Sequence, residues 1–177
     1  VSKSHFLTTE IFIRKRLISR NMSEGDKIYE KYLKLQKKYE LPDYHYLNKE
    51  FEIANLDSNK FMLRQIRKNI HSKIDEYCEI IEDLLQPNAT ISQMHEYRFF
   101  SEKAKKKIYD LYRKLMHMSR TATELGIHNN RDKDIEFIKE FFSNFENIKD
   151  EMVSITTTMK NSWKEELDKD IKFEYFG

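Results

Sequence analysis

Four side chains able to bind metals or move protons recur at helical spacing within RQIRKNIHSKIDEYCEIIED, residues 64–83. His71, Asp75, Cys78 and Glu82 stand at i, i+4, i+7 and i+11, which on a helix makes a single polar row. An imidazole, a thiol and two carboxylates could in principle hold a metal. A zinc site, however, takes three or four ligands, of which a lone cysteine supplies one. A carboxylate-bridged di-iron bundle takes a Glu-x-x-His pair on each of two helices, and the chain contains no Glu-x-x-His. The apolar seam of the same segment is centred on Ile70, Ile74, Tyr77 and Ile81. At 100° per residue the row lies about a quarter turn from it. It therefore reads as a partly solvated flank bordering the core, with no metal and no cofactor expected.

Arg64 and His71 form a second pattern, Arg-x6-His, near the start of that segment. It superficially resembles the Arg-x4–6-His signature of the HEPN family of small helical ribonucleases. The resemblance covers these two residues, with Gln65 at the position after the arginine. It implies a metal-independent ribonuclease in which two copies of the motif meet across a dimer. Histidine can transfer protons near neutral pH, and arginine can stabilise charge developing at phosphorus.

The remaining titratable residues read more simply. His117, between Met116 and Met118, is a boundary histidine. His128 sits in GIHNNRDKD among Asn129, Asn130, Asp132 and Asp134, which suit a turn and a helix start. That stretch lacks the D-x-[DN]-x-[DN]-G pattern of a calcium loop. Cys78 has no neighbours that mark a nucleophile and reads as a boundary thiol. No Gly-rich phosphate loop is present. The balance of these signals leans away from an enzyme.

Charge is more informative by segment than in total. The net charge of +2 is close to balanced. Residues 1–20 nevertheless carry Lys3, Arg14, Lys15, Arg16 and Arg20 against Glu10 alone. Residues 98–120 carry Arg98, Lys103, Lys105, Lys106, Lys107, Arg113, Lys114 and Arg120 against Glu102 and Asp110, whereas residues from 131 onward are net acidic. Arg14, Lys15, Arg16, Arg98, Lys105, Lys106 and Arg113, with Tyr97, Tyr109 and Tyr112 nearby, could track a phosphate backbone if they share a face. The simpler reading is the solvated side of amphipathic helices, and the same asymmetry suits self-association.

The elements that must position these groups follow from composition and periodicity. With 35% charged residues and only three Gly and two Pro in 177 residues, long helices are favoured over sheet. Leu63, Ile66, Ile70, Ile74, Tyr77, Ile81 and Leu84 predict a helix capped by Asp57 or Ser58 and ending before Pro87. Ile108, Leu111 or Tyr112, Leu115, Met118, Ala122 and Leu125 predict a second, from a Ser101 cap to a left-handed Gly126. Ile135, Ile138, Phe142, Phe145, Ile148, Met152, Ile155, Met159 and Trp163 predict a third, with Asp132 and Asp134 at its positive end. The short polar connection at GIHNNRDKD predicts that the second and third are antiparallel neighbours. A short helix is expected around residues 91–98.

Upstream, Ser23 and Asp26 predict a capping box before Ile28, Tyr32, Leu35 and Tyr39. Leu41-Pro42-Asp43 ends that helix and starts a short one through Tyr46 and Leu47. FEIANLD, 51–57, reads as a loop, and residues 5–20 as weakly helical.

The fold class expected is all-α: an antiparallel helical bundle dominated by three long helices, with shorter N-terminal helices packed on it. Residues 1–57 form an N-terminal helical segment and 58–177 a three-helix core, together one compact domain. The C-terminal aromatics Phe173, Tyr175 and Phe176 are expected to dock on the bundle or on a second chain. No apolar stretch approaches the ~18 residues of a membrane span, and the basic cluster following the first apolar stretch is the wrong order for a signal peptide. A cytoplasmic, non-enzymatic interaction or scaffold protein, working as a homodimer or with a protein partner, is the first functional expectation. Nucleic-acid binding is the second and HEPN-like nuclease activity the third.

Overall fold

The helices expected from periodicity form, and their ends are set by polar side chains that satisfy otherwise unpaired backbone groups. The computed structural model describes residues 23–58, 60–86 and 90–164, and the described elements are all helical. They are α1 (Glu24–Tyr39), α2 (Tyr44–Phe51), a 3₁₀ turn (Ile53–Asn55), α3 (Met62–Leu85), α4 (Ile91–Arg98), α5 (Glu102–His128) and α6 (Arg131–Ser162). The protein is an all-α bundle dominated by three long helices, α3, α5 and α6. Among the described residues no helix is long and apolar enough to cross a membrane.

The described residues fall into two compact units: those within 23–67 together with 131–139, and those within 68–130 together with 140–164. Each combines stretches distant in sequence.

In the first unit, Ser23 and Asp26 make the reciprocal capping box of α1. One face of α1 buries Ile28 and Tyr32 completely, and α1 packs on α2 and the 3₁₀ turn. The Tyr32 hydroxyl donates to the Pro42 carbonyl at 2.7 Å, so burial of this polar tip leaves no orphan. Burial also pushes the Tyr32 phenol well above its usual range. Asp43 caps α2 by accepting from the backbone N–H groups of His45 and Tyr46. The segment 51–57, read as a loop, contains the end of α2 and the 3₁₀ turn, whose Ile53 is fully buried.

Asp57 does not cap α3, which starts four residues later than that cap would place it. Gln65, inside the helix, accepts from the Asp57 N–H at 3.0 Å and donates to the Asp57 carbonyl at 2.9 Å. The Ser58 hydroxyl and N–H donate to Glu24, which lowers the Glu24 pKa. Lys31 Nζ donates to the carbonyls of Ser58 and Lys60. The approach to α3 is thus held by side chains of α1 and by Gln65 of α3 itself.

The first turns of α3 and α6 contribute a buried ion pair to the same unit. Arg67 Nε donates to Asp134 Oδ1 at 2.6 Å, with side-chain exposures of 3% and 5%. Asp134 was expected only to complement the positive end of its helix. It does sit there, but inside the protein, because Arg67 interrupts the apolar seam and requires a partner.

In the second unit the long helices run antiparallel. α5 and α6 are joined by two residues only, and Lys114 of α5 donates to Asn144 of α6 at 3.0 Å, positions about equally far from that connection. On the other side, residue 119 of α5 meets 71 and 75 of α3, whereas Tyr112 meets Glu82. The seam of α5 is Ile108, Leu111, Leu115, Met118, Ala122 and Leu125, all buried.

Three seam assignments shift by one residue. Cys78 is buried in place of the half-buried Tyr77, Phe141 in place of Phe142, and Ser162 in place of Trp163. In each case two neighbours straddle the seam at 3.6-residue periodicity, and local packing selects between them. The left-handed end of α5 is Asn129, φ 52°, and Gly126 is helical. Asparagine tolerates that conformation, so the helix can run three residues further and leave a connection of only Asn129 and Asn130.

Asp134→Ala is expected to destabilise the protein by about 3–5 kcal/mol, because it strands the Arg67 charge in the interior. Pairing Arg67→Met with Asp134→Leu should recover most of that loss. Urea unfolding followed by circular dichroism measures both; equal stability of Asp134→Ala and the parent would refute the pair's structural role.

Candidate polar site and interhelical groove

The predicted row on α3 faces α5 along its whole length. A residue outside the row organises its first half. The Ser119 hydroxyl, 4% exposed, donates to Asp75 Oδ1 at 2.8 Å and lies 3.1 Å from His71 Nε2. His71 Nε2 is also 3.4 Å from Asp75 Oδ2. The three side chains close a triangle joining α3 to α5.

Their types match a hydrolase triad, but their directions do not. In a triad the serine proton points to imidazole Nε2 and the carboxylate accepts from Nδ1. Here the hydroxyl proton is directed to Asp75, and both the hydroxyl and the carboxylate meet the same ring nitrogen. With the hydroxyl donating to Asp75, the network places a hydrogen on Nε2, which occupies the position a general base would need vacant. The triangle is an interhelical bracket. Ser119 went unrecognised in the sequence, although it follows Met118 at the edge of the α5 seam, opposite the polar flank of α3.

The other half of the row diverges. Cys78 is 6% exposed and belongs to the core, a correction to its placement at the boundary. Burial pushes its thiol up to about 11, with further elevation from Asp75 and Glu82 opposed by Arg120. Glu82 is exposed, accepts from Gln86, and bonds the Tyr112 phenol, whose pKa rises first through burial and then through Glu82. Among the described residues no three His, Cys, Asp or Glu side chains stand as a set of metal ligands.

Arg64 has its own surroundings. Its guanidinium stacks over the Phe61 ring at 4.9 Å. Its Nε is buried with no hydrogen-bond partner among the described residues.

Of the expected phosphate-tracking residues, Arg98, Lys106 and Arg113 are exposed. Lys105 is engaged: it pairs with Glu102 at 2.7 Å, which raises its pKa, and lies over the Tyr97 ring at 3.9 Å. Arg14, Lys15 and Arg16 lie outside the described residues, as do Phe173, Tyr175 and Phe176. His117 and His128 are exposed.

Trp163, expected in a seam, is 56% exposed. It donates to Glu96 at 2.7 Å and stacks on His95 at 4.5 Å, while His95 Nε2 meets the Ser162 carbonyl at 3.1 Å. This group fastens α4 to the end of α6.

A cleft of about 640 Å³ runs between α5 and α6, with Phe100, Ile108, Leu111 and Ile155 providing apolar lining. Lys107, Lys114, Asp110 and Glu151 add charge, and Ser154 and Thr158 add hydroxyls. This size and mixture suit a bound segment or small molecule. No family model, curated protein or solved structure matches the chain.

The thiol predicts a pH signature. A Cys78 pKa of about 11 makes its thiolate at pH 8 about 100-fold scarcer than at the ordinary value of 9. Thiol reagents should therefore modify it at least 100-fold more slowly in the folded protein than in urea. The folded state holds this proton more tightly, so stability should be unaffected below pH 9 and decline as pH rises from 9 to about 11. Rapid labelling of the native protein at pH 8 would contradict the buried placement.

Proposed function

We propose that this is a cytoplasmic, non-enzymatic helical interaction protein that self-associates or engages a protein partner, with the α5–α6 groove as its recognition surface. The observation carrying this reading is the groove itself, where apolar lining is combined with charges of both signs. Such a surface rewards burial of apolar side chains, at about 25 cal/mol per Å², while its charges set orientation. The closed His71–Ser119–Asp75 bracket supports the same reading, since its hydroxyl and imidazole are already committed to one another.

Nucleic-acid binding is the second reading. It draws on Lys103, Lys106 and Lys107 of α5, with Arg113 and Lys114 two turns further along, and with Lys106 and Arg113 exposed. A metal-independent nuclease using Arg64 and His71 has weaker support, because His71 Nε2 already faces Ser119 and Asp75.

Light scattering across a concentration series tests the first reading. Species heavier than the 21.6 kDa chain should form. Ser154→Trp, which fills the groove from an exposed helix position, should raise the concentration needed at least tenfold. A mass distribution unchanged by Ser154→Trp would remove the groove from the interaction. Lys106→Glu with Arg113→Glu tests the second reading: RNA or DNA affinity that survives those changes would eliminate that face.

A further inference from the structure

Helix α4 has little reason to stay folded by itself. Its eight residues fall short of the ~12–15 that an isolated helix needs, and none of them is buried. Among the described residues, the Gln93 side-chain oxygen is shielded from water without a hydrogen-bond partner, which weakens docking further. What holds α4 is a small set of polar and aromatic contacts made by its second half.

Those contacts reach both walls of the α5–α6 groove. Toward α6, the Ser162 carbonyl can only accept, so His95 Nε2 donates to it across 3.1 Å. The Trp163 ring stacks on His95, and its N–H donates to Glu96 at 2.7 Å. Toward α5, Lys105 Nζ sits 3.9 Å from the centre of the Tyr97 ring. Lys105 directly follows Ala104, and Ser162 lies one turn past Thr158; Ala104 and Thr158 both line the groove. One short helix thus bridges the two walls.

The last turn of α4 also seats a lining residue. The Phe100 N–H donates to the Tyr97 carbonyl at 3.3 Å, and the Phe99 N–H to the Glu96 carbonyl at 3.1 Å. Phe100 is 7% exposed and supplies part of the groove's apolar lining. Unwinding α4 breaks the backbone bond that fixes Phe100, so the groove loses part of its wall when the helix lets go.

We propose that α4 is a clasp across the α5–α6 groove, fastened by His95 and Trp163, which undocks as a unit and switches the groove between a complete and an incomplete form. The proposal rests on the reading of the groove as a recognition surface. Docked, α4 holds Phe100 where an occupant can bury against it. Released, it leaves the two walls unbridged. Clasp closure and binding are therefore linked, and an occupant of the groove stabilises α4 by the same factor that docked α4 favours binding.

Hydrogen exchange of the full chain, read by mass spectrometry, tests the clasp. In the parent, α4 amides should exchange at least tenfold faster than those in the middle of α5. His95→Ala should speed α4 exchange at least tenfold more. Alanine favours helix more than histidine does, so that rise reports the lost tether. Trp163→Leu should act likewise, with α3 amides unchanged in both variants. Exchange of α4 at the α5 rate in the parent, or unmoved by both substitutions, would overturn the proposal. In light scattering, His95→Ala should also raise the concentration needed for self-association at least tenfold. A released α4 with an unchanged mass distribution would overturn the proposal as well, and the groove reading would stand if Ser154→Trp still shifted the mass. A mass distribution indifferent to Ser154→Trp would remove the groove reading and the clasp's role together.

Discussion

Burying a charge is costly unless an opposite charge meets it with good geometry, and Arg67 places this protein under that constraint. The arginine stands in the apolar seam at the start of α3, between Ile66 and Ile70, where an aliphatic residue would have packed more simply. Its partner Asp134 comes from the first turn of α6, 67 positions away in the chain. The short charge-assisted bond can form only when those two helix starts are correctly placed. Apolar side chains can slide past one another at small cost, whereas a displaced ion pair in a dry interior cannot. Apolar burial supplies most of the stabilisation, and the pair restricts which arrangement of the first unit is acceptable.

The same logic explains the polar residues of the second unit. Ser119 is as buried as its apolar neighbours, and its hydroxyl is satisfied by Asp75 and His71 from the facing helix. The three residue types are those of a hydrolytic triad, yet the hydroxyl hydrogen points to the carboxylate. Composition of a site is therefore a poor guide to its chemistry; the direction of each hydrogen bond decides. Cys78 follows a related rule. Its burial stabilises the neutral thiol, so the residue best suited by type to act as a nucleophile is among the least able to do so. His71 and Asp75 of the α3 row are thus engaged with Ser119 of α5.

Local signals were legible where they depended on neighbours in the chain. The Ser23–Asp26 capping box, the break at Leu41-Pro42-Asp43, the Ser101 cap, the short helix over Ile91–Arg98 and the α5 seam could be read directly, because capping and periodicity act within a few residues. The choices between Tyr77 and Cys78, Phe141 and Phe142, and Ser162 and Trp163 were not legible. Each pair straddles its seam, and the facing helix selects which member is buried. Gly126 looked like the natural stop for α5. Nothing in the local sequence said that Asn129 would accept the left-handed conformation after one further turn.

The sequence by itself determined an all-helical bundle, its three long amphipathic helices and the Ser101 cap of α5, since propensity, breakers and apolar period are local properties. Only the tertiary structure decided that Asp134 would meet Arg67, that Ser119 would close the bracket with His71 and Asp75, and that a groove would open between α5 and α6. Those outcomes depend on which side chains from distant stretches share a dry interface, where an unmatched polar group costs more than any local preference can offset.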